Sequence, residues 1–235
     1  MKKVFYRLYT RFRNFLYGIP AVLRVYSFFM SDIPAKRKRR QLQENGAMYI
    51  QTITRALNES GIEAFCAFGT LLGIVRDNGF IPHDDDIDMG ILYRADFSWG
   101  ELESAMEKAG LKKLFSYAYE GRVTEETYRF SDGMQVDFFL FEPDGDMMRA
   151  LAYFKDHTRT YDNPQERSVY ANVFSPVIGL KKIIFQQSEI FIPENSEKHL
   201  EDVYGVGWKI PDPDYQEDKM THLMPELGKK IHAQT

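Results

Sequence analysis

Residues 68–76 read Phe-Gly-Thr-Leu-Leu-Gly-Ile-Val-Arg, and residues 83–90 read His-Asp-Asp-Asp-Ile-Asp-Met-Gly. The first stretch predicts a glycine-containing turn that opens a helix, where free backbone N–H groups favour a phosphate. The second stretch is an acidic cluster, and clustered carboxylates suit divalent cations. Together the two stretches indicate metal-assisted phosphoryl or nucleotidyl transfer.

The spacing of the acids favours a metal site on neighbouring strands. If residues 86–89 form a strand, Asp86 and Asp88 share one face of it, roughly 6.5–7 Å apart. Asp137 lies in the strand-like run 134–141, where a lone charge is costly unless it is paired or bound to a metal. We therefore expect Asp86, Asp88 and Asp137 to bind Mg²⁺ or Mn²⁺ as the cofactor.

Other interpretations of the acidic run fit it to different degrees. A solvated acidic loop is common, but the apolar residues on both sides of the run indicate burial. A calcium-binding loop needs Gly at its sixth position and Glu at its twelfth, and the chain has Met89 and Ala95 there, which excludes it. An Asp-x-Asp glycosyltransferase site, which also uses two acids and a metal, remains open.

The residues from Gly69 to Asp88 resemble the signature of the LicD family, which includes fukutin and the fukutin-related protein. The motifs are Gly-Thr-Leu-Leu-Gly-x-x-Arg and Gly-Phe-Ile-Pro-x-Asp-Asp-Asp-Ile-Asp, and the likeness extends over about residues 45–215. This family belongs to the nucleotidyltransferase-like superfamily of DNA polymerase β. The resemblance implies an α+β fold with a nucleotidyltransferase-type mixed sheet and flanking helices.

The resemblance also implies a reaction and a set of site residues. A LicD-like phosphotransferase moves a phosphorylated alcohol, such as phosphocholine or an alditol phosphate, from a CDP-activated donor to a cell-surface or lipid-linked glycan. The third acid, Asp137, matches a strand-borne carboxylate of the superfamily. The residues that the resemblance assigns to catalysis are Asp84, Asp86, Asp88 and Asp137, and those it assigns to donor binding are Gly69, Thr70 and Arg76.

Three alternatives to the phosphotransferase stay open. A nucleotidyltransferase would attach NMP to a small molecule or sugar and release pyrophosphate, and a glycosyltransferase would use a nucleotide sugar. A membrane-associated scaffold with a degenerate site is the third, although the intact acids argue against degeneracy.

The composition indicates one catalytic domain preceded by a basic segment. The chain has 235 residues, of which 44% are apolar, enough to bury a sizeable core. Cys66 is the only cysteine, so the chain cannot form an internal disulfide. We expect a basic amphipathic segment over residues 1–40 and a LicD-like domain over residues 41–235.

Charge is distributed unevenly between these two parts. Residues 1–40 carry eleven Lys or Arg against one Asp, a net +10, whereas the whole chain carries −4, which leaves −14 for residues 41–235. Phe5, Phe12 and Leu16 belong to an apolar stripe with helical spacing. This pattern predicts an N-terminal amphipathic helix that lies on an anionic membrane surface or, alternatively, docks on the domain's own core.

The same segment bears on localisation and partners. Gly18 and Pro20 interrupt its ten uncharged residues between Arg13 and Arg24, so the sequence predicts neither a spanning helix nor a signal peptide. We expect a cytoplasmic protein peripherally associated with the membrane. The basic run 36–40 suggests contact with anionic lipid or phosphate rather than nucleic acid, because no nucleic-acid-binding motif accompanies it.

Hydrophobic periodicity and turn residues predict a mixed α and β chain. Residues 147–167 give no clear pattern, apart from an exposed loop expected at residues 156–166. Helices are predicted near residues 35–59, from residue 70, and near 98–109 and 194–204, and strands near 63–68, 86–92, 114–119, 126–130, 134–141, 180–185 and 189–192.

Overall fold

The structure, a computed structural model, describes residues 33–156, 159–212 and 221–233. The amphipathic helix predicted near the N-terminus lies outside the described residues. Within these ranges the helices are α1 (Ile33–Glu59), α2 (Phe68–Asp77), α3 (Trp99–Lys108) and α4 (Ser196–Tyr204).

Most of the described strands lie between α3 and α4 in the sequence. The strands are β1 (Ala64–Cys66), β2 (Ile87–Leu92), β3 (Lys112–Tyr119), β4 (Arg122–Arg129), β5 (Gln135–Asp144), β6 (Met147–Phe154), β7 (Glu166–Phe174), β8 (Leu180–Phe185), β9 (Ser188–Pro193), β10 (Thr221–Leu223) and β11 (Gly228–His232).

Nine of the described strands form one sheet in the order β1-β2-β5-β4-β3-β11-β7-β10, with β6 paired to both β5 and β7. Strands β2 and β5 run parallel, whereas the other paired strands run antiparallel. Because β6 links β5 to β7, the strands β5, β4, β3, β11, β7 and β6 close a circuit. The sheet is therefore barrel-like, and β8 and β9 form a separate hairpin.

Helix α1 covers one side of the core. Leu42, Tyr49 and Ile53 recur at helical spacing and are 0–1% exposed, so this face of α1 is buried. The helix also includes the basic run 36–40, which the sequence assigned to the N-terminal segment. Among the helices that the structure describes, none has both the length and the apolar character needed to cross a bilayer.

The two parallel strands, β2 and β5, each present one face to the core. Ile87 and Met89 on β2 are buried, as are Val136 and Phe138 on β5. Since successive side chains of a strand point to opposite faces, the residues between them face the other side of the sheet. That side carries the candidate site.

The mixed α+β architecture is confirmed, and several strands are additions to the prediction. The turn at residues 131–133 joins β4 to β5 as an antiparallel hairpin, and Gly133 has a φ of 103° that favours glycine. Residues 147–167 showed no clear pattern, and β6 lies within them. Strands β7, β10 and β11 were not predicted. The nucleotidyltransferase-type topology stays a prediction.

Candidate active site

The turn that opens α2 is hydrogen-bonded to the acid-bearing end of β2. The Ala67 N–H donates to the Asp88 carbonyl oxygen at 3.0 Å, and the Asp88 N–H donates to Thr70 Oγ1 at 2.9 Å. Phe68 has a positive φ of 41°, which turns the chain sharply from β1 into α2. Thr70 therefore holds Asp88 in position through its side chain, in addition to the donor-binding role that its motif implies.

Gly69 stands directly against the acidic cluster. A Cβ atom on Gly69 would lie 2.8 Å from Asp84 Oδ2 and 3.4 Å from Asp88 Oδ2. Carbon atoms do not approach polar oxygens that closely without displacement. The glycine thus lets the backbone of the turn lie next to the carboxylates.

The acids that the sequence singled out are brought together by the parallel pairing of β2 and β5. Asp88 and Asp137 are direct register partners on these two strands, and Asp86 immediately precedes β2. From the next strand, β4, the Thr127 hydroxyl donates a hydrogen bond to Asp137 Oδ1. Asp84 lines the same cleft.

Two of these acids have pKa values well above the usual range for aspartate. Burial raises the pKa of Asp86 to about 7, and the negative charges of Asp137 and Asp85 add to the effect. Burial likewise raises the pKa of Asp137 to about 6, although the Thr127 hydrogen bond and the charge of Lys38 oppose the shift. The carboxylates therefore lie in a site where a bound cation would be stabilising.

The chemistry of the donor set fits a hard divalent cation, because every candidate ligand atom is a carboxylate oxygen. Within the described ranges, however, no three His, Cys, Asp or Glu side chains are already converged on a common metal position. Binding of Mg²⁺ or Mn²⁺ by Asp86, Asp88 and Asp137 stays a prediction. Asp88 and Asp137 are register partners, so rotation of their side chains would bring their carboxylates toward a common position.

A cleft of about 1160 Å³ contains this cluster, and its other lining residues come from two groups of elements. We name the two parts of the lining by these elements. The helix arm is lined by Leu72, Arg76, Tyr204, Trp208 and Ile210, from α2, α4 and the segment after α4. The sheet arm is lined by Phe115, Tyr117, Glu125, Tyr153 and Phe154, from β3, β4 and β6.

Comparison with known proteins identifies the family. The LicD/FKTN/FKRP nucleotidyltransferase domain matches residues 61–195, more than half of the chain. The chain belongs to the LicD family. The match includes the turn at Gly69, the acidic cluster and Asp137, so the acid cluster lies inside the matched range.

Curated relatives of this LicD domain are similar over most of the chain. Human ribitol-5-phosphate transferase FKTN is 24% identical over 162 residues, which cover 69% of this chain and 32% of that protein. Human ribitol 5-phosphate transferase FKRP is 25% identical over 177 residues, which cover 73% of this chain and 33% of that protein. The chain thus spans about a third of the length of these relatives.

One solved structure also matches the chain. It is ANT(2")-Ia in complex with adenylyl-2"-tobramycin, with a TM-score of 0.42 and 13% sequence identity, covering 74% of this chain and 83% of that one. A TM-score this low carries no argument about the fold of the LicD domain.

Arg76 of the LicD domain lies in the helix arm but is paired with its neighbour. Its Nε and Nη2 atoms donate to the Asp77 carboxylate at 3.0–3.1 Å and 2.8 Å. The sequence left open whether Arg76 contacts donor phosphate or an acid of the cluster. In the structure its partner is Asp77, outside the cluster, and the guanidinium still lines the cleft.

Two charged residues at the sheet arm were missed by reasoning from the sequence: Glu125, which lines it, and Lys230, whose ammonium group lies over the Phe115 ring. Glu125 is 6% exposed on β4, and burial, followed by the charge of Asp137, raises its pKa well above the usual range. Lys230 lies on β11, and burial, followed by the charge of Arg167, lowers its pKa to about 8. The only signal for Glu125 was an acid within a strand-like run, and Lys230 carried no signal at all.

Lys38 is a third residue whose place the sequence did not reveal. It belongs to the basic run 36–40 but lies half-buried on α1, where its Nζ donates to Gln135 Oε1. Its positive charge lowers the pKa values of Asp86 and Asp137. At least this member of the run therefore serves the acid cluster from within the protein.

Proposed function

We propose that this LicD domain is a metal-dependent phosphotransferase. It transfers a phosphorylated alcohol, of the phosphocholine or alditol phosphate type, from a CDP-activated donor to a cell-surface or lipid-linked glycan. The observation that supports the proposal most directly is the register pairing of Asp88 with Asp137 beside the N-terminus of α2. The names of the relatives FKTN and FKRP, both ribitol-5-phosphate transferases, agree with it.

The residues of the site have separate roles in binding the metal and the donor. Asp86, Asp88 and Asp137 are the residues that would hold Mg²⁺ or Mn²⁺, and the turn at Gly69 offers backbone N–H donors to a donor phosphate. Bound metal supplies positive charge that stabilises the negative charge on the donor's diphosphate. The helix arm has the aromatic side chains of Tyr204 and Trp208 for the cytidine part of the donor.

The reaction is a displacement at the phosphorus atom that carries the alcohol. An acceptor hydroxyl oxygen forms a new P–O bond to it while the P–O bond to CMP breaks, and CMP leaves with the electron pair. The hydroxyl proton passes to a carboxylate of the cluster, Asp137 or Asp84. In-line geometry requires the attacking and leaving oxygens to lie on opposite sides of the phosphorus.

Membrane association is a second part of the proposal. The acceptor, if lipid-linked, lies at a membrane surface, and the basic residues 1–40 provide attraction to anionic lipid. We propose a peripheral position on the cytoplasmic face.

The function is tested by a panel of activated donors with Mg²⁺ and with a chelator. We expect CMP release from CDP-ribitol, CDP-glycerol or CDP-choline that requires the metal. Asp88→Asn and Asp137→Asn should each lower the rate by roughly a hundredfold or more, because both acids act on charge in the transition state. Asp146→Asn, on an exposed turn, is the matched control and should keep the wild-type rate.

Thermal melts of the three variants separate loss of chemistry from loss of folding. Near-normal turnover by Asp88→Asn would contradict the assigned site. Preferential use of UDP-sugars would replace the proposal with a glycosyltransferase, and pyrophosphate release from nucleoside triphosphates would replace it with a nucleotidyltransferase.

A further inference from the structure

The sheet arm lies on the far side of Asp137 from α2. Helix α2 lies next to Asp88 on β2. Across the sheet from Asp88, successive register partners are Asp137 on β5, Thr127 on β4 and Phe115 on β3. Two residues along each strand, the next row on the same face runs from Phe139 through Glu125 and Tyr117 to Lys230. Asp137 thus stands between the α2 side of the sheet and the strands β4 and β3, which line the sheet arm.

Aromatic rings form the floor of the sheet arm. The Tyr117 ring stacks on Tyr153 with centroids 4.8 Å apart and an interplanar angle of 8°. Phe115 meets Tyr117 edge to face at 5.3 Å. One face of Tyr117 is therefore covered by Tyr153, and the packed rings form an apolar part of the cleft lining.

A lysine and a glutamate border the aromatic floor. Lys230 Nζ lies 3.1 Å from the centroid of the Phe115 ring and 5.3 Å from that of Tyr117. Glu125, nearly fully buried, stands between its register partners Tyr117 and Phe139. A strong donor and a strong acceptor therefore flank the same apolar surface.

This combination suits a hydroxyl-rich ligand and opposes a cationic one. The C–H face of a sugar or alditol can lie on an aromatic ring while its hydroxyls bond to the ammonium and the carboxylate. A quaternary ammonium group would need the aromatic faces, but the chain's own Lys230 already occupies the position over Phe115.

The direction of the displacement assigns this arm to one substrate. The N–H donors of the α2 turn, beside Asp88 on β2, suit the diphosphate, so CMP leaves on the β2 side of Asp137. The acceptor oxygen must approach from the opposite side of the phosphorus. On the opposite side, past Asp137, lies the sheet arm.

We propose that the sheet arm is the acceptor subsite, where a sugar or alditol unit lies beside the stacked Tyr117 and Tyr153 rings, and Lys230 and Glu125 orient its hydroxyls. This inference rests on the proposed phosphotransferase function and adds residues that bind the acceptor, not the donor. Lys230 is a positioning residue here, because it contacts the acceptor and not the reacting phosphorus.

The test separates the Michaelis constants of the two substrates. CMP release is measured with CDP-ribitol as donor and with methyl glycosides and free ribitol as acceptor surrogates. Lys230→Met should raise the KM for the acceptor roughly ten- to a hundredfold, as expected for loss of a hydrogen bond to a charged group. The donor KM should change by less than about twofold, because the donor makes its contacts elsewhere.

Two further variants complete the experiment. Lys230→Arg keeps the charge and should recover most of the acceptor affinity, which excludes a folding defect as the cause. Lys229→Met removes the neighbouring lysine, which is exposed on β11, and should leave both constants at wild-type values.

The possible failures have different meanings. An equal rise of both Michaelis constants in Lys230→Met, or a rise of the donor constant alone, would overturn the assignment of the sheet arm to the acceptor. So would wild-type CMP release that no surrogate increases, although metal-dependent release to water would still support the phosphotransferase. Absence of CMP release from every CDP-linked donor would reject the proposed function itself.

Discussion

Among the residues of the site, Gly69 has the least room for a larger side chain. Its backbone lies so close to the acids that the first atom of any side chain would meet Asp84 Oδ2 at 2.8 Å. The contact is with carboxylates that the proposed chemistry uses, not with the core. Substitution should therefore affect catalysis more than stability.

Gly69→Ala should lower kcat/KM by roughly tenfold or more, because displacing reacting groups by even an ångström is expensive. The thermal midpoint should change little, since the carboxylates border the cleft and can rotate. Gly100→Ala is the control, because its Cβ would have only Ser98 Oγ nearby, at 3.6 Å. Wild-type kinetics in Gly69→Ala would show that the acids do not need their present positions.

The site residues that could be predicted from the sequence are those that stand out from their neighbours in the chain. Asp86, Asp88 and Gly69 stand within one short motif, and Asp137 is conspicuous as a charge in an apolar strand. Lys230 comes from a strand distant in sequence, and nothing near it in the chain marks it as part of a site. Only the pairing of strands brings its ammonium group over the Phe115 ring.

The side chain of Thr70 links helix α2 to strand β2. Thr70 is 1% exposed, and its hydroxyl oxygen accepts the hydrogen bond from the Asp88 N–H. Valine has nearly the same shape but no acceptor. Without the hydroxyl, the N–H of Asp88 would be left unsatisfied in a closely packed position.

Thr70→Val should lower the free energy of unfolding by about 1–3 kcal/mol, the usual cost of an unsatisfied buried donor. It should also lower activity, because Asp88 loses its tie to the helix. Thr70→Ser retains the acceptor and should keep most of both properties. Chemical denaturation and CMP release measure the two effects, and equal behaviour of the valine and serine variants would contradict the linking role.

Helix α4 carries a histidine into the core. His199 is 0% exposed, its ring centroid lies 4.7 Å from that of Phe174, and neither ring nitrogen has a hydrogen-bond partner within the described residues. Burial lowers the pKa of His199 from 6.5 to about 4, although Asp202 opposes the shift. The folded protein therefore binds a proton at this site less readily than the unfolded chain.

The sign of the pH dependence follows from that difference. Because the folded-state pKa is depressed, the contribution of neutral His199 is fully present above pH 6.5 and is lost as the pH falls toward about 4. His199→Leu removes the group, so its free energy of unfolding should fall less steeply over this range. Denaturation curves at several pH values measure the slopes, and identical slopes would mean that His199 does not titrate on unfolding.

The helices and strands that the sequence predicted are those whose conformation is favoured by their own residues. Helix α1 shows a clear apolar stripe, and β5 combines β-branched and aromatic residues over its first half. Strand β11, by contrast, is short and polar, reading Gly-Lys-Lys-Ile-His. Its conformation depends on the strands beside it, and β propensity is too dependent on context to reveal such a strand.

For the molecule as a whole, the basic residues at its front determine the proposed contact with a membrane. The proposed membrane contact rests on residues 1–40, of which the structure describes only those from residue 33 onward. Lys38 already contacts Gln135 within the protein, so lipid attraction would fall to the remaining basic residues.

We expect the full chain to sediment with liposomes that contain anionic lipid, and less so at high salt, because basic attraction is screened. Replacing Phe12 and Leu16 by Asp should weaken sedimentation further, through loss of apolar burial. Replacing the exposed Lys229 by Asp changes charge elsewhere and serves as the control. Binding that responds to neither salt nor the N-terminal changes would favour docking of this segment on the domain.

Strand β11 joins β3 to β7, and its partners are far away in the chain, with Lys229 beside Ala118. During refolding, the edges of β3 and β7 stay unpaired until β11 binds between them. Contacts so distant in sequence form slowly. During that interval the unpaired edges of β3 and β7 are open to strands of other molecules. Recovery of the protein from denaturant should accordingly depend on concentration, with dilution favouring closure of the barrel over aggregation.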